Sequence, residues 1–246
     1  MYSFAPIAAA MDLVSSALAA LTALLVPLVP AAAAGLSVVL LTMGVRLLLL
    51  PVGIAQVRAE KVRARIGPEL ARIGARHRDD PQKMVAEQRK VYSEAGTSPF
   101  AGCLPALVQM PVVLALYGVF TGASEDAGPL LSHTFGGVEL GSSLLPLAQG
   151  MPVEPVFALL IAFLALVAWA QRSYVVLPAT LTDATADGQG RPAMPGILTY
   201  MSYVPVAIAA FVPLAAGLYL LVSTAWALGE RLVLRRLLPE RSGPGA

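Results

Sequence analysis

The sequence predicts an all-α polytopic membrane protein with a five-helix transmembrane core. Hydrophobic residues make up 57% of the chain and charged residues 13%, whereas soluble domains carry about 25% charged residues. Four long segments, 13–45, 95–124, 155–171 and 192–229, contain no charged residue. A transmembrane helix needs about 17–25 apolar residues, so each segment accommodates at least one crossing.

The distribution of charge predicts the orientation of the chain. Residues 58–95 contain ten Lys or Arg and six Asp or Glu, whereas residues 121–154 contain four acids and no Lys or Arg. Basic segments stay in the cytoplasm, so the first segment is inside and the second outside. The basic C-terminal tail is also cytoplasmic, which leaves the N-terminus outside.

These rules divide the chain into nine segments. The 38 uncharged residues from Pro192 to Gly229 are too long for one straight helix, because about 20 residues span the roughly 30 Å core, so two crossings are expected, turning near Pro205–Pro213. The predicted segments are an outer-surface N-terminal helix in 1–34, crossing helices at 35–57, 98–120 and 155–177, a cytoplasmic helical hairpin at 58–97, an outer loop at 121–154, a cytoplasmic loop at 178–193, the fourth and fifth crossing helices in 194–229, and a cytoplasmic basic tail at 230–246.

Residues 6–26 allow two interpretations. They are apolar enough to cross the membrane, but no basic residue precedes Arg46 to hold a sixth crossing in the cytoplasm. The segment is also rich in Ala and Ser and is followed by Pro27 and Pro30. We expect a helix lying at the outer surface, with a sixth crossing as the alternative.

The hairpin is predicted from helical periodicity and a capping signal. Val62, Ile66, Leu70 and Ile73 recur every three or four residues in a basic amphipathic helix that we expect to be interrupted at Gly67-Pro68. Asp80-Pro81 predicts the start of a second helix, with Met84, Val91 and Tyr92 on one face. The basic face either binds anionic lipid, a ribosome or a client chain, or is a solvated surface that sets orientation.

Arg46 is the only basic residue predicted to lie within the membrane. A charge at the middle of a helix costs about 2.5–3.5 kcal/mol on insertion scales, so its guanidinium should meet water or a partner. Every Asp and Glu falls in a loop, at a segment end or in a tail. A hydrated cavity is therefore the favoured environment, and an ion pair with a loop acid is the alternative.

Further polar residues fall within the predicted crossings. Individually such residues often only hold helices together, but around an intramembrane arginine they predict a wet, positively charged recess. With Arg46, the residues predicted to form this substrate groove are Thr42, Gln109, Tyr200, Tyr219 and Ser223.

Two stretches resemble the YidC membrane protein insertases, a family related to the mitochondrial and chloroplast insertases. They are VRLLLLPV at 45–52 and SPFAGCLPALVQMPVVLALY at 98–117, and the order and spacing of the other segments agree over 33–238. The resemblance implies a five-helix core with a groove open to the cytoplasm and to lipid. It places the groove arginine at Arg46 and the groove glutamine at Gln109.

The resemblance also implies a function and partners. Members insert other membrane proteins and help them fold, so nascent membrane proteins are the expected clients, with the ribosome and the Sec translocon as further partners, in a bacterial plasma membrane. The sequence departs from the family in lacking the large outer domain of Gram-negative relatives and the lipoprotein cysteine of many Gram-positive relatives. Its last crossing, VPLAAGLYLLVST, also lacks the Phe-Pro-Ser-Gly run.

Other functional classes fit the sequence less well. A transporter or channel is the main alternative, but the crossings contain no internal repeat and no carboxylate to relay protons. An intramembrane hydrolase needs a nucleophile with a base or a metal site, and His77 and His133 fall in loops on opposite sides. We therefore expect no catalytic residue, metal or cofactor. The basic hairpin lacks the base-stacking aromatic residues of nucleic-acid readers.

Overall fold

A computed structural model of the chain describes residues 5–98, 117–120, 132–144, 154–176 and 200–237. The chain divides into two compact units, which are considered separately below. Unit 1 comprises Met1–Leu49, Leu107–Trp169 and Ser202–Leu228, and unit 2 comprises Leu50–Ala106, Ala170–Met201 and Gly229–Ala246.

The first two helices pack together in unit 1. Helix α1 (Ala5–Leu25) and helix α2 (Ala33–Leu48) contact each other, and Leu18 and Val38 are buried in the core. The hydroxyls of Thr22 and Ser37 lie 2.9 Å apart, at hydrogen-bond distance. The predicted helix at 6–26 is therefore present, and its position relative to the membrane stays a prediction.

A short β-hairpin lies in the segment predicted as the outer loop. Strands β1 (Thr134–Phe135) and β2 (Val138–Glu139) pair antiparallel, joined by Gly136 and Gly137, whose φ angles are 62° and 90°. Two-residue hairpin turns favour glycine because both residues need positive φ. The Phe135 ring packs so closely on Gly35 of α2 that a Cβ there would overlap it. The sequence analysis did not predict this hairpin.

The segment after the hairpin caps the last helix of the chain. Helix α7 (Leu214–Leu237) begins at a turn next to residues 140–143. The amide N–H of Leu214 donates to the carbonyl of Ser142 at 2.8 Å, and the N–H of Ala215 donates to the carbonyl of Leu140 at 3.0 Å. Amides in the first turn of a helix have no partner within the helix, so this loop satisfies two of them. The Leu140 side chain is fully buried.

Two helices among the described residues are long and apolar enough to cross a membrane. They are helix α5 (Pro155–Gln171), which continues as a π turn at Arg172–Val176, and α7, and the number rises to three if α2 and helix α3 (Leu50–Arg76) form one interrupted span. Exposed Leu159, Phe163 and Leu166 line α5, as expected for a surface in contact with lipid. A predominantly helical fold with two or three candidate membrane spans is thus confirmed, and the five-helix core stays a prediction.

Other predicted crossings are described only in part. Residues 117–120 are helical, and residues 99–116 of the second crossing predicted at 98–120 lie outside the described residues, as does the loop at 178–193. The described part of the fourth crossing consists of a 3₁₀ turn at Met201–Tyr203 and helix α6 (Val204–Ala209). The chain then turns before Leu214, close to the turn predicted near Pro205–Pro213.

The first crossing is not one continuous helix, in contrast to the prediction for 35–57. Helix α2 ends at Leu48, where the Leu49 N–H still donates to the Val45 carbonyl, and α3 begins at Leu50. Pro51 explains the break, because its ring disfavours helical geometry at the preceding residue and lacks an N–H. At the first turn of α3 that missing N–H has no cost.

The last helix extends beyond the predicted end at residue 229. It continues through Gly229 to Leu237 and so includes Arg231 and Arg235, which were assigned to the tail. Glycine inside a helix costs only about 1 kcal/mol, and Arg235 and Arg236 in the last turn interact favourably with the negative end of the helix dipole.

Unit 2 contains the helix pair predicted from periodicity. Helix α3 and helix α4 (Pro81–Glu94) pack through a cluster of Ile66, Ile73 and Val91. The start of α4 is confirmed, since the Asp80 carboxylate accepts a hydrogen bond from the Lys83 N–H at 3.1 Å. The expected interruption at Gly67-Pro68 is wrong: α3 continues through Pro68, because apolar contacts hold it on both sides of the proline. The cytoplasmic position of the pair stays a prediction.

Candidate functional site

Arg46 and Ser223 form the polar contact between two apolar helices of unit 1. Arg46 lies in the last turn of α2 and is half-buried, and Ser223 lies on α7 and is buried. A terminal guanidinium N–H of Arg46 donates a hydrogen bond to the Ser223 hydroxyl. The contact joins residues 177 positions apart in the chain. Hydrogen bonds to charged groups are stronger than those between neutral groups, so Ser223 restrains the cation.

Thr42 lies one turn before Arg46 on α2. It is only 2% exposed, and its hydroxyl donates to the Val38 carbonyl of its own helix at 2.6 Å. A threonine in this arrangement satisfies itself without a neighbour or water. Thr42 is therefore more enclosed in this structure than a residue lining an open recess would be.

Tyr219 lies one turn before Ser223 on α7. Its side chain is 8% exposed and belongs to the apolar core of unit 1, together with Leu160 and Leu218. Its neighbour Gly217 allows close packing, since a Cβ there would lie 2.6 Å from Leu160 Cδ2. Tyr219 thus contributes mostly apolar contact area beside the Arg46–Ser223 pair.

Tyr200 has a different environment, in unit 2. Its side chain is exposed, and the guanidinium carbon of Arg172 lies 5.0 Å from the centre of its ring, within the range of a cation–π interaction. Arg172 was not singled out from the sequence; it precedes the cytoplasmic loop predicted at 178–193. The pairing joins residues on opposite sides of that loop, so sequence spacing gave no signal for it.

Gln109 lies outside the described residues, so its place in the groove stays a prediction. The four predicted residues of unit 1 comprise two on α2, Thr42 and Arg46, and two on α7, Tyr219 and Ser223, and the described contact between these helices at this site is Arg46 to Ser223. Within the part of the chain that the structure describes, no group of three or more His, Cys, Asp or Glu side chains could hold a metal ion.

Known proteins resemble this chain over most of its length. Residues 27–241 match the family model of the 60Kd inner membrane protein. A membrane protein insertase YidC of Clostridium perfringens is 43% identical over 93 residues, or 38% of this chain and 39% of that protein. The corresponding protein of Streptomyces avermitilis is 28% identical over 233 residues, or 83% of this chain and 52% of that protein.

A membrane protein insertase YidC of Clostridium tetani is 36% identical over 94 residues, or 38% of this chain and 43% of that protein. The matches thus cover about two fifths to one half of the length of these curated relatives. The family model, in contrast, spans most of the present chain, from residue 27 to residue 241. The apolar helices and the resemblance of the Arg46 region agree with that match, and the protein belongs to the 60Kd inner membrane protein family.

Proposed function

We propose that this protein is a membrane protein insertase. In this proposal it passes the polar tails of client proteins through a hydrated, cationic groove and releases their apolar segments sideways into lipid. The observation that carries the proposal is the contact of Arg46 with the Ser223 hydroxyl, which holds a permanent cation between two apolar helices. The names of the relatives, membrane protein insertase YidC, support the same function.

The topology that serves this function has five crossings in a bacterial plasma membrane. The N-terminus lies outside with α1 at the outer surface, and the C-terminus and the α3–α4 pair lie in the cytoplasm. The excess of basic residues in 58–95 and the acids of 121–154 support this orientation. The second crossing at 98–120 and the loop at 178–193 complete the arrangement.

The groove has a polar centre and a packed wall. Arg46 and Ser223 form the centre, and Gln109 and Tyr200 are the further residues predicted for the groove from the sequence. Thr42 and Tyr219 support the wall behind them, in agreement with their burial. The Thr42 hydroxyl is already bonded to a carbonyl of its own helix, which agrees with a place in the wall.

The groove lowers the free energy of moving a polar segment through hydrocarbon. Each backbone group without a hydrogen-bond partner in lipid costs several kcal/mol, and water reaching half-way across the membrane shortens the dry path. Arg46 attracts carboxylates of the client. An inside-negative potential then favours their outward release by about 2.3 kcal/mol per charge per 100 mV.

The expected partners follow from this role. Nascent membrane proteins are the clients, and the ribosome and the Sec translocon are further partners during their synthesis. The basic α3–α4 pair binds anionic lipid at the cytoplasmic surface. No covalent bond changes during insertion, so the proposal requires no catalytic residue and no cofactor.

The proposal is tested by replacing the arginine of the groove. In proteoliposomes that contain this protein, Arg46→Ala should reduce the insertion of a client with an acidic translocated tail about tenfold or more, because the loss of a charge contact of 1.4 kcal/mol or more is expected. Arg46→Lys should retain part of the activity, since it keeps the positive charge. Protease protection of the translocated tail measures insertion.

Arg236→Ala is the matched control, because Arg236 is an exposed arginine at the end of α7, outside the α3–α4 pair. It removes the same charge outside the predicted groove and should leave insertion close to the parent value. Equal insertion by the parent and by Arg46→Ala, across clients with acidic and neutral tails, would contradict the proposed role of Arg46.

A further inference from the structure

Glu60 of α3 is shared by two arginines near the end of α7. Its two carboxylate oxygens lie 3.2 Å from a terminal nitrogen of Arg231 and 3.4 Å from one of Arg235. The next residue, Lys61, donates from its ammonium group to the carbonyl oxygen of Arg235 at 3.2 Å. All four residues belong to unit 2, and we call them the Glu60 cluster.

The spacing of these residues shows that two helical surfaces lie side by side. Arg231 and Arg235 are four residues apart, so they share one face of α7. Gly53 and Glu60 are seven residues apart on α3 and also share a face. At Gly53 the Glu230 carboxylate approaches the backbone so closely that a Cβ would overlap it. The contact therefore extends over two turns of α3.

The chemistry of the cluster favours one fixed arrangement. Between about a quarter and a third of each of the Glu60, Arg231 and Arg235 side chains is exposed, so water screens the pairs only in part. A single exposed ion pair contributes little, but here one carboxylate fixes two arginines. The Lys61 ammonium in addition satisfies a carbonyl in the last turn of α7, where such groups have no partner within the helix.

We propose that Glu60 is the positioning residue that fixes the α3–α4 helix pair on the end of α7. Arg231 and Arg235 then hold α3 against α7, in addition to any effect of their charge on the orientation of the chain in the membrane. Because α4 packs on α3 through Ile66, Ile73 and Val91, fixing α3 also fixes α4. The structural part of this inference does not depend on the proposed function, whereas its effect on insertion does.

The distance between two spin labels tests the structural part. Gly74 on α3 and Gly229 on α7 suit this purpose, since a Cβ at either position meets no heavy atom within 4 Å. Gly74→Cys and Gly229→Cys, in a chain with Cys103→Ser, are labelled in lipid nanodiscs, and pulsed electron paramagnetic resonance measures the distance distribution. The parent should give one narrow distribution.

Glu60→Arg should broaden that distribution, because the new arginine carries the same charge as Arg231 and Arg235. We expect the fraction of molecules outside the parent range of distances to increase about fivefold. This matches the size of the contribution that exposed and partly exposed ion pairs make to stability. Glu60→Gln, which changes the volume little, should give a smaller increase. Glu60→Arg combined with Arg231→Glu and Arg235→Glu inverts all three charges and should restore the narrow distribution.

Glu69→Arg is the matched control, because Glu69 is an exposed acid on the same helix. It introduces the same charge change away from the Glu60 cluster and should leave the distribution unchanged. An unaltered distribution in Glu60→Arg would overturn the proposal. So would a broad distribution in the charge-inverted variant, since a role in positioning requires recovery.

The same variants measure the consequence for insertion. If the fixed helix pair receives client tails, Glu60→Arg should slow insertion severalfold and the charge-inverted variant should recover it. Altered distances with unchanged insertion would contradict a role of the positioned pair in insertion while leaving Glu60 as its positioning residue. If Arg46→Ala left insertion unchanged, this would contradict the proposed function but not the positioning role of Glu60.

Discussion

Arg46 in unit 1 and Arg231 in unit 2 both extend from long helices, but different groups meet them. The described hydrogen bond of Arg46 goes to the neutral hydroxyl of Ser223, among apolar helices. Arg231 instead pairs with the carboxylate of Glu60, in a region rich in charge. Burying a second charge in a medium of low dielectric costs several kcal/mol, so a hydroxyl is the less costly partner in an apolar region.

The same contrast applies to the two units as wholes. Unit 1 is held by buried apolar side chains such as Leu140, Phe157 and Leu214, with a few hydroxyl contacts. Unit 2 has a small apolar cluster of three buried residues and several ion pairs and caps. Unit 1 should therefore respond mainly to changes in packing, and unit 2 mainly to changes in charge.

The largest effect is expected from Leu140→Ala. Leu140 is fully buried in the segment that caps the start of α7, and removing such a side chain costs about 2–5 kcal/mol, because a cavity remains. Thermal unfolding of the detergent-solubilised protein measures the loss of stability. Leu159→Ala is the control, because Leu159 is 58% exposed on α5. Equal losses of thermal stability in both variants would contradict the view that buried apolar packing stabilises unit 1.

Ser223→Ala is expected to have the next largest effect. Removing the acceptor of a hydrogen bond from a charged donor costs about 1.5–3 kcal/mol, so thermal stability should fall, whereas Ser223→Thr should keep the contact. Thr224→Val is the control, since the Thr224 hydroxyl donates to the Leu220 carbonyl of its own helix. A loss for Thr224→Val as large as that for Ser223→Ala would show that Ser223 has no special contact with Arg46.

Asp80→Ala should have a smaller, local effect in unit 2. The Asp80 carboxylate caps α4, and loss of such a cap costs about 1 kcal/mol. Hydrogen exchange of the amides in the first turn of α4 should accelerate about fivefold. Asp79→Ala removes the same charge from an exposed neighbour, and equal acceleration in that variant would argue against the cap.

The smallest effect is expected from salt. Raising ionic strength from about 0.1 M to about 1 M shortens the Debye length from about 10 Å to about 3 Å. The partly exposed ion pairs of the Glu60 cluster should weaken by less than about 1 kcal/mol, which would appear as a modest broadening of the distance distribution between labels at Gly74 and Gly229. A narrower distance distribution at high salt would contradict the expectation that ion pairs hold the helices of unit 2 together.

Local signals in the sequence predicted several elements well. Asp80-Pro81 identified the first turn of α4, because capping and the fixed φ of proline act within a few residues. Helix α5 begins at Pro155 as predicted, since the apolar segment there is bounded by Glu154 and by a proline. In both cases the interactions that determine where the helix begins involve residues close together in the sequence.

Elements that depend on distant contacts were missed. The break at Leu49 was not predicted because it lies within an apolar run, although Pro51 follows it. The effect of Pro68 was overestimated, because packing against Val91 keeps α3 continuous. The hairpin at Gly136-Gly137 carries a turn signal, but its two-residue strands are too short for an alternating pattern. Its contact with Gly35 appears only when the chain is folded.

The candidate site shows the same limit. The sequence singled out Arg46 from its cost in an apolar segment, and Ser223 from its place on an apolar helix. Their direct contact depends on how α2 and α7 pack, which neither periodicity nor charge specifies. The pairing of Arg172 with Tyr200 likewise depends on the path of the chain between them.

The backbone hydrogen bonds that cap α7 depend on the number of residues in the segment 140–143 more than on which residues these are. The Ser142 carbonyl accepts from the Leu214 N–H and the Leu140 carbonyl from the Ala215 N–H, and any residue supplies a carbonyl. A substitution at Ser142 therefore leaves the bond available, whereas one inserted residue between Leu140 and Ser143 would shift which carbonyl faces each amide. Homologous chains that keep this cap should conserve spacing here while their side chains diverge.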